Sequence, residues 1–144
     1  MKIIETTVAK TVVVKEPVTQ YIADDGKIFY SEEECKNHEN EEKYKARFEE
    51  MIIAPIHIPD AFNVYDANIF LMKVNSQEDI EALVKASEIR NGAFFNSYVE
   101  ESVPKAIKEL PCRVIYFEND AIADIYSADG LFRECLDIAL TLVK

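Results

Sequence analysis

Residues Tyr21 to Glu39 read YIADDGKIFYSEEECKNHE: a strand, a tight turn, a short strand and a capped acidic helix. Asp24-Asp25-Gly26 makes the turn, because Gly26 takes a positive φ at little cost while Asp side chains bond nearby backbone. Ile28 and Tyr30 alternate with Lys27 and Phe29, the period of a strand. Ser31 followed by Glu34 is a capping box: the hydroxyl accepts from a free N–H, and Glu34 reaches back to the cap. Glu32, Glu33 and Glu34 also sit at the positive end of the helix dipole, worth roughly 0.3–1 kcal/mol each at low salt. None of these residues forms a catalytic signature.

Upstream, Lys2 to Lys15 (KIIETTVAKTVVVK) is rich in β-branched residues and predicts a long strand or a bent pair. The continuous run Val12–Val14 implies burial on both faces or an edge covered by a partner. Glu16-Pro17 is expected to end it, since Pro lacks the N–H a ladder uses. Val18 to Ala23 then pairs with Ile28 to Tyr30 across the turn.

Downstream, the helix from Glu32 to about Ile52 carries two apolar faces, Cys35, His38 and Glu39 on one side and Tyr44, Phe48 and Met51 nearly opposite. One stripe packs on the domain, or meets another subunit and makes the chain a homo-oligomer. Pro55 and Pro59 bracket a short extended segment, and Asp60 to Asn68 reads as loop. Ile69 to Val74 is a strand. Ser76 with Asp79 caps a helix whose Ile80, Leu83 and Val84 face inward, and Asn91-Gly92 ends it. A short helix follows with Pro104 in its first turn and Val103, Ile107 and Leu110 inward. Pro111 introduces a strand over Arg113 to Phe117, and Glu118-Asn119-Asp120 turns into Ile122 to Tyr126. An amphipathic helix from about Asp129 to Val143 closes the chain. This order predicts an α+β fold, a mostly antiparallel sheet with helices packed on it, as a single domain over 1–144. Its N-terminal strands, hairpin and helix occupy 1–54, and the remainder 55–144.

Tyr21, Asp25-Gly26-Lys27, Phe29, Ser31, Cys35 and His38-Glu39 resemble a motif near the start of many small phage and mobile-element proteins. There an aromatic residue, a DGK-type turn, Phe, Ser or Thr, Cys, and an aromatic residue or His before Glu recur. The resemblance ends by Glu42 and is structural in kind. It implies a phage or mobile-element gene neighbourhood; the leading expectation is an accessory protein in the host cytoplasm that engages a host protein, with inhibition of a host defence factor as one form. No activity or binding residue follows from it.

Composition narrows the function further. The 144 residues are 49% hydrophobic with 3 Gly and 5 Pro, enough for one ordinary domain with a real core. The net charge of −11 and a pI near 4.6 argue against direct nucleic-acid binding and leave a basic protein as partner. No run reaches the ~20 apolar residues of a membrane span, and MKIIETTVAK lacks a signal-peptide core. Cys35, Cys112 and Cys135 are an odd, widely spaced set, read as buried free thiols in a reducing compartment. The expectation is a soluble cytoplasmic protein.

Each chemical constellation has a plainer explanation. Cys35-x-x-His38, completed by His57, Cys112 or Cys135, has half the spacing of a metal site, but the remaining candidates are unpaired. A Cys–His nucleophile lacks a recognisable flanking turn. Asp24-Asp25, Asp60 with Asp66, and Glu118 with Asp120 and Asp124 offer the carboxylates of a metal-dependent hydrolase, yet Asp24-Asp25 is accounted for by its turn. Three glycines cannot supply a phosphate-gripping loop of either common type. No catalytic residue, metal ligand or cofactor is assigned. Arg90, Phe94, Phe95, Asn96 and Tyr98 form the best ligand surface, since aromatic planes beside a guanidinium suit a nucleotide-like molecule. Core packing of the two phenylalanines is the preferred alternative.

Overall fold

The computed structural model describes residues 1–9, 15–57, 59 and 66–130, and of 9 and 93–97 the backbone only. The architecture is α+β, with two antiparallel sheets. The chain divides into two compact units, Met1–Lys43 and Tyr44–Lys144.

In the first unit β1 (Lys2–Ala9) pairs antiparallel with β2 (Lys15–Ile22) along its whole length, and β2 pairs with β3 (Ile28–Phe29). The expected turn is present: Gly26 has φ 89°, its N–H bonds Ala23 O at 2.9 Å, and Ala23 N–H bonds Lys27 O at 2.9 Å. Asp25 Oδ1 accepts from Lys27 N–H at 3.0 Å. Pro17 does not end a strand. It sits inside β2 opposite Thr7, at a point where β3 does not reach, so among the described residues β2 has one neighbour there and a missing N–H disrupts no second ladder. The run Val12–Val14 lies outside the described residues.

Helix α1 (Glu32–Met51) starts at the expected cap, with Ser31 Oγ accepting from Glu34 N–H at 3.4 Å. It ends in the second unit and passes directly into β4 (Ile52–Pro55). That strand precedes the Pro55–Pro59 segment, where extended structure was expected. The second sheet runs β4-β5-β6-β7, with β5 (Asn68–Val74), β6 (Cys112–Glu118) and β7 (Ala123–Ser127), every neighbour antiparallel. Between β5 and β6 come α2 (Gln77–Asn91) and α3 (Ala93–Ala106).

Strand alternation decides which face of this sheet is core. Met72 and Val74 of β5, Val114 and Tyr116 of β6, and Ala123 and Ile125 of β7 share one buried face by register. Phe48 and Met51 of α1, Leu83 and Ala86 of α2, and Val99 of α3 pack against it. Full burial of a side chain such as Phe48 contributes roughly 1.5–3 kcal/mol. The Tyr44–Phe48–Met51 stripe is therefore spent inside this unit: Phe48 is 1% exposed and Met51 4%. Tyr44 is partly buried against the same core.

Two further expectations need correction. Helix α3 begins at Ala93, so Pro104 falls near its end rather than in its first turn. Leu110 lies beyond the helix and is exposed. The C-terminal helix expected over 129–143 falls outside the described residues from 131 onward. Its start is visible at 128–130, where Ser127 Oγ accepts from Gly130 N–H at 3.1 Å.

Candidate functional site

The densest polar constellation joins the end of α2 to β6. Tyr116 and Glu118 are two residues apart on a strand and so share the buried face. Ser87, Arg90 and Asn91 are one turn apart on a helix and so share a stripe. Arg90 donates to Glu118 through Nε at 3.0 Å and Nη2 at 2.5 Å, a bidentate fork. Tyr116 Oη donates to Glu118 Oε2 at 2.9 Å. Asn91 Nδ2 lies within 3.1 Å of both Tyr116 Oη and Ser87 O. The Phe48 ring lies 5.1 Å beneath the guanidinium and meets the Tyr116 ring edge-on, centroids 5.0 Å apart.

The electrostatics of this cluster are settled by its geometry. Burial pushes the Glu118 carboxyl up, but the hydrogen bonds and charge of Arg90 and the Tyr116 hydroxyl outweigh it and hold Glu118 below the usual range. Burial drives the Tyr116 phenol well above its ordinary value. Hydrogen bonding to Glu118 raises Arg90 still further. A carboxylate held ionised by its own cation is a poor general base, and the guanidinium fork is already filled.

A second pair repeats the pattern at the start of α2. Asp79, 1% exposed, accepts from Arg47 Nε at 2.6 Å and from Asn75 N–H at 2.8 Å. Its own N–H donates to Ser76 Oγ at 3.3 Å. Burial raises the Asp79 carboxyl; the Asn75 and Arg47 bonds lower it by more.

In the first unit the motif residues converge on each other. Asp25 Oδ2 meets His38 Nε2 at 2.8 Å, and the His38 and Phe29 ring centroids are 5.2 Å apart. Cys35 is fully buried, and burial followed by the charge of Glu39 pushes its thiol up. A protonated, buried thiol is not a nucleophile. These residues thus form a latch between hairpin and helix.

Of the sequence-derived ligand residues, Arg90 sits in the Glu118 network on α2. Tyr98 stands on α3 with its side chain about half exposed. The side chains of Phe94, Phe95 and Asn96 lie outside the described residues, as do Cys135 and Asp60. Of the carboxylates proposed for a hydrolase, Glu118 and Asp124 lie on opposite faces of the sheet: Glu118 opposes Ala123 on the core face, whereas Asp124 opposes Phe117 on the other. Among the described residues no group of three or more His, Cys, Asp or Glu is placed to hold a metal ion.

Sequence reasoning missed Glu118, Tyr116, Asn91 and Arg47 as network members. One signal was available: Glu118 falls in phase with the buried Val114 and Tyr116, and a carboxylate on a buried face demands a cation.

A different feature lies on the surface of α2 and α3. A groove of about 350 Å³ has Ile80, Val84 and Val103 as its floor and Glu81, Lys85 and Glu100 at its rim. Lys85 is drawn to Glu88 at 3.6 Å, which leaves the rim acidic. No described helix is long and apolar enough to cross a membrane. No protein-family model, curated protein or solved structure matches this chain.

Proposed function

We propose that this chain acts by binding a protein with a basic surface rather than by catalysis. The α2–α3 groove carries the reading: an apolar floor under Glu81 and Glu100 suits an apolar side chain flanked by Lys or Arg. The interior supports it from the other side. Its charged groups, Arg90 with Glu118 and Arg47 with Asp79, are committed to one another, so the chemistry the chain can offer a partner lies outside. The resemblance of Tyr21–Glu39 to phage and mobile-element proteins makes a host protein the partner class. Inhibition of a host defence factor is one form this takes.

A nucleotide-like ligand at Arg90 and the Phe94–Tyr98 segment is the alternative, and it requires Arg90 to leave Glu118. The test is affinity purification of the full chain from bacterial cells, with mass spectrometry of retained proteins and small molecules. A basic protein retained by the wild type and lost with Glu81→Lys/Glu100→Lys supports the proposal. A small molecule lost with Arg90→Ala instead supports the alternative, and turnover of a substrate abolished by one carboxylate change refutes both.

A further inference from the structure

We infer that β1 is a homodimerisation edge, pairing antiparallel with β1 of a second copy about a two-fold axis at Thr6. Strand β1 ends the order β1-β2-β3, and among the described residues no strand lies on its other side. Such an edge presents a row of unpaired N–H and C=O groups, and proteins that stay monomeric blunt it with proline, a bulge or inward charge. Of these devices β1 carries neither proline nor bulge, and its charges are Lys2 and Glu5. Its register with β2 runs unbroken from Lys2 opposite Ile22 to Ala9 opposite Lys15, and Lys2–Ala9 contains no proline.

Charge identifies the occupant. Two copies each carrying −11 repel over most of their surfaces. The β1–β2 strip carries no net charge, because Lys2 balances Glu5 and Lys15 balances Glu16. A basic partner gains nothing from a neutral strip, whereas a second copy finds there a place to meet itself.

The register follows from the same reasoning. A two-fold axis normal to the sheet keeps each face on its own side, so facing residues share parity. Centring on Glu5 would set two carboxylates opposite one another, which is destabilising. Centring on Thr6 faces Ile4 with Val8, Glu5 with Thr7, and Thr6 with its own copy, over a ladder of residues 3–9 that stops short of setting Lys2 opposite Lys10. Thr–Thr and paired β-branched residues are favourable cross-strand neighbours. The Ile4 and Val8 side lies opposite the side on which Phe29 meets His38 of α1, so apolar contact would join the backbone ladder.

The test is sedimentation of the purified full chain near ~100 μM, a concentration at which even a ~10 μM dimer is well populated. A mass of twice 16.5 kDa is expected, with the dimer strengthened by added salt as the mutual repulsion is screened. Thr6→Lys sets two ammonium groups opposite one another and should weaken the dimer at least about tenfold. Thr6→Cys should form an intermolecular disulfide on mild oxidation, since facing Cα atoms about 4.5–5.5 Å apart lie within disulfide reach. Peptide mapping identifies that bond even if Thr6→Lys fails to fold. A wild-type monomer, a dimer indifferent to Thr6→Lys, a folded Thr6→Cys chain that forms no such disulfide, or a foreign strand co-purifying on this edge overturns the inference.

Discussion

Arg90 holds Glu118 through two parallel N–H···O bonds across 28 residues of sequence, and Glu118 is only 5% exposed. Removing the cation leaves an ionised carboxylate in the core with Tyr116 and Asn91 as its remaining donors. Arg90→Ala should therefore cost about 2–4 kcal/mol, toward the low end for a broken buried pair because Arg90 keeps partial contact with water. Glu118→Gln retains the shape and part of the bonding, and should cost about 1–2 kcal/mol. Urea denaturation of both single variants and of Arg90→Ala/Glu118→Gln checks this. The double variant should recover part of the sum, whereas simple additivity would show that the two groups do not act together.

Acid should destabilise the protein through the same groups. Glu118, Asp79 and Asp25 all have folded carboxyl pKa values held below their ordinary range. A depressed folded pKa means the unfolded chain binds the proton more readily. The stabilisation is therefore complete above the unfolded carboxyl pKa near ~4 and disappears as pH falls through the folded values. Unfolding midpoints should be flat from about pH 5 to 7 and drop steeply below about pH 4. Asp79→Asn and Glu118→Gln should each lower the plateau and flatten that acid limb; an unchanged limb in both would show that these carboxylates do not carry the dependence.

The two helix caps differ in strength. Ser76 Oγ holds Asp79 N–H at 3.3 Å beside a buried carboxylate, whereas the Ser31 bond to Glu34 N–H is longer, 3.4 Å, and exposed. Ser76→Ala should cost about 1–2 kcal/mol and Ser31→Ala about 0.5 kcal/mol, the two ends of the range for lost caps. Equal losses, measured by thermal melting, would contradict the ordering.

The parts of this fold that were legible in sequence are those decided by near neighbours. Asp24-Asp25-Gly26, Ser31 before Glu34 and Ser76 before Asp79 act over two or three residues, and each stands where it was expected. Gly92 likewise ends α2, with φ 85° and its N–H bonded to Glu88 O at 2.7 Å. Pro17 and Pro104 misled because the cost of proline depends on what is adjacent. A strand with one neighbour at that point tolerates the first, and a helix reaching back to Ala93 puts the second near its end. The ion pairs were hidden for a different reason. Asp79 reads as a capping residue until Arg47 arrives from a helix 32 residues earlier. Arg90 reads as a free guanidinium until β6 brings Glu118 to it.

Partner binding and self-association should respond to salt in opposite directions. Association with a basic protein through Glu81 and Glu100 is an attraction between opposite charges, screened beyond a Debye length of about 8 Å at physiological ionic strength. Its association rate should fall at least about tenfold between 50 and 500 mM salt while dissociation changes little. Glu81→Lys/Glu100→Lys should slow association further and lower the melting temperature only slightly, because both side chains are exposed and the one bond lost, Tyr44 Oη to Glu81 at 3.0 Å, is exposed too. Arg90→Ala should do the reverse, lowering the melting temperature while leaving the association rate intact wherever the chain stays folded. The β1 dimer, formed between like-charged copies, should tighten over the same salt range. Surface plasmon resonance against the captured partner, with sedimentation at matched salt, separates the two. A partner whose binding strengthens with salt, or ignores the Glu81 and Glu100 reversals, would remove the acidic groove from the mechanism and leave the neutral β1 edge untouched.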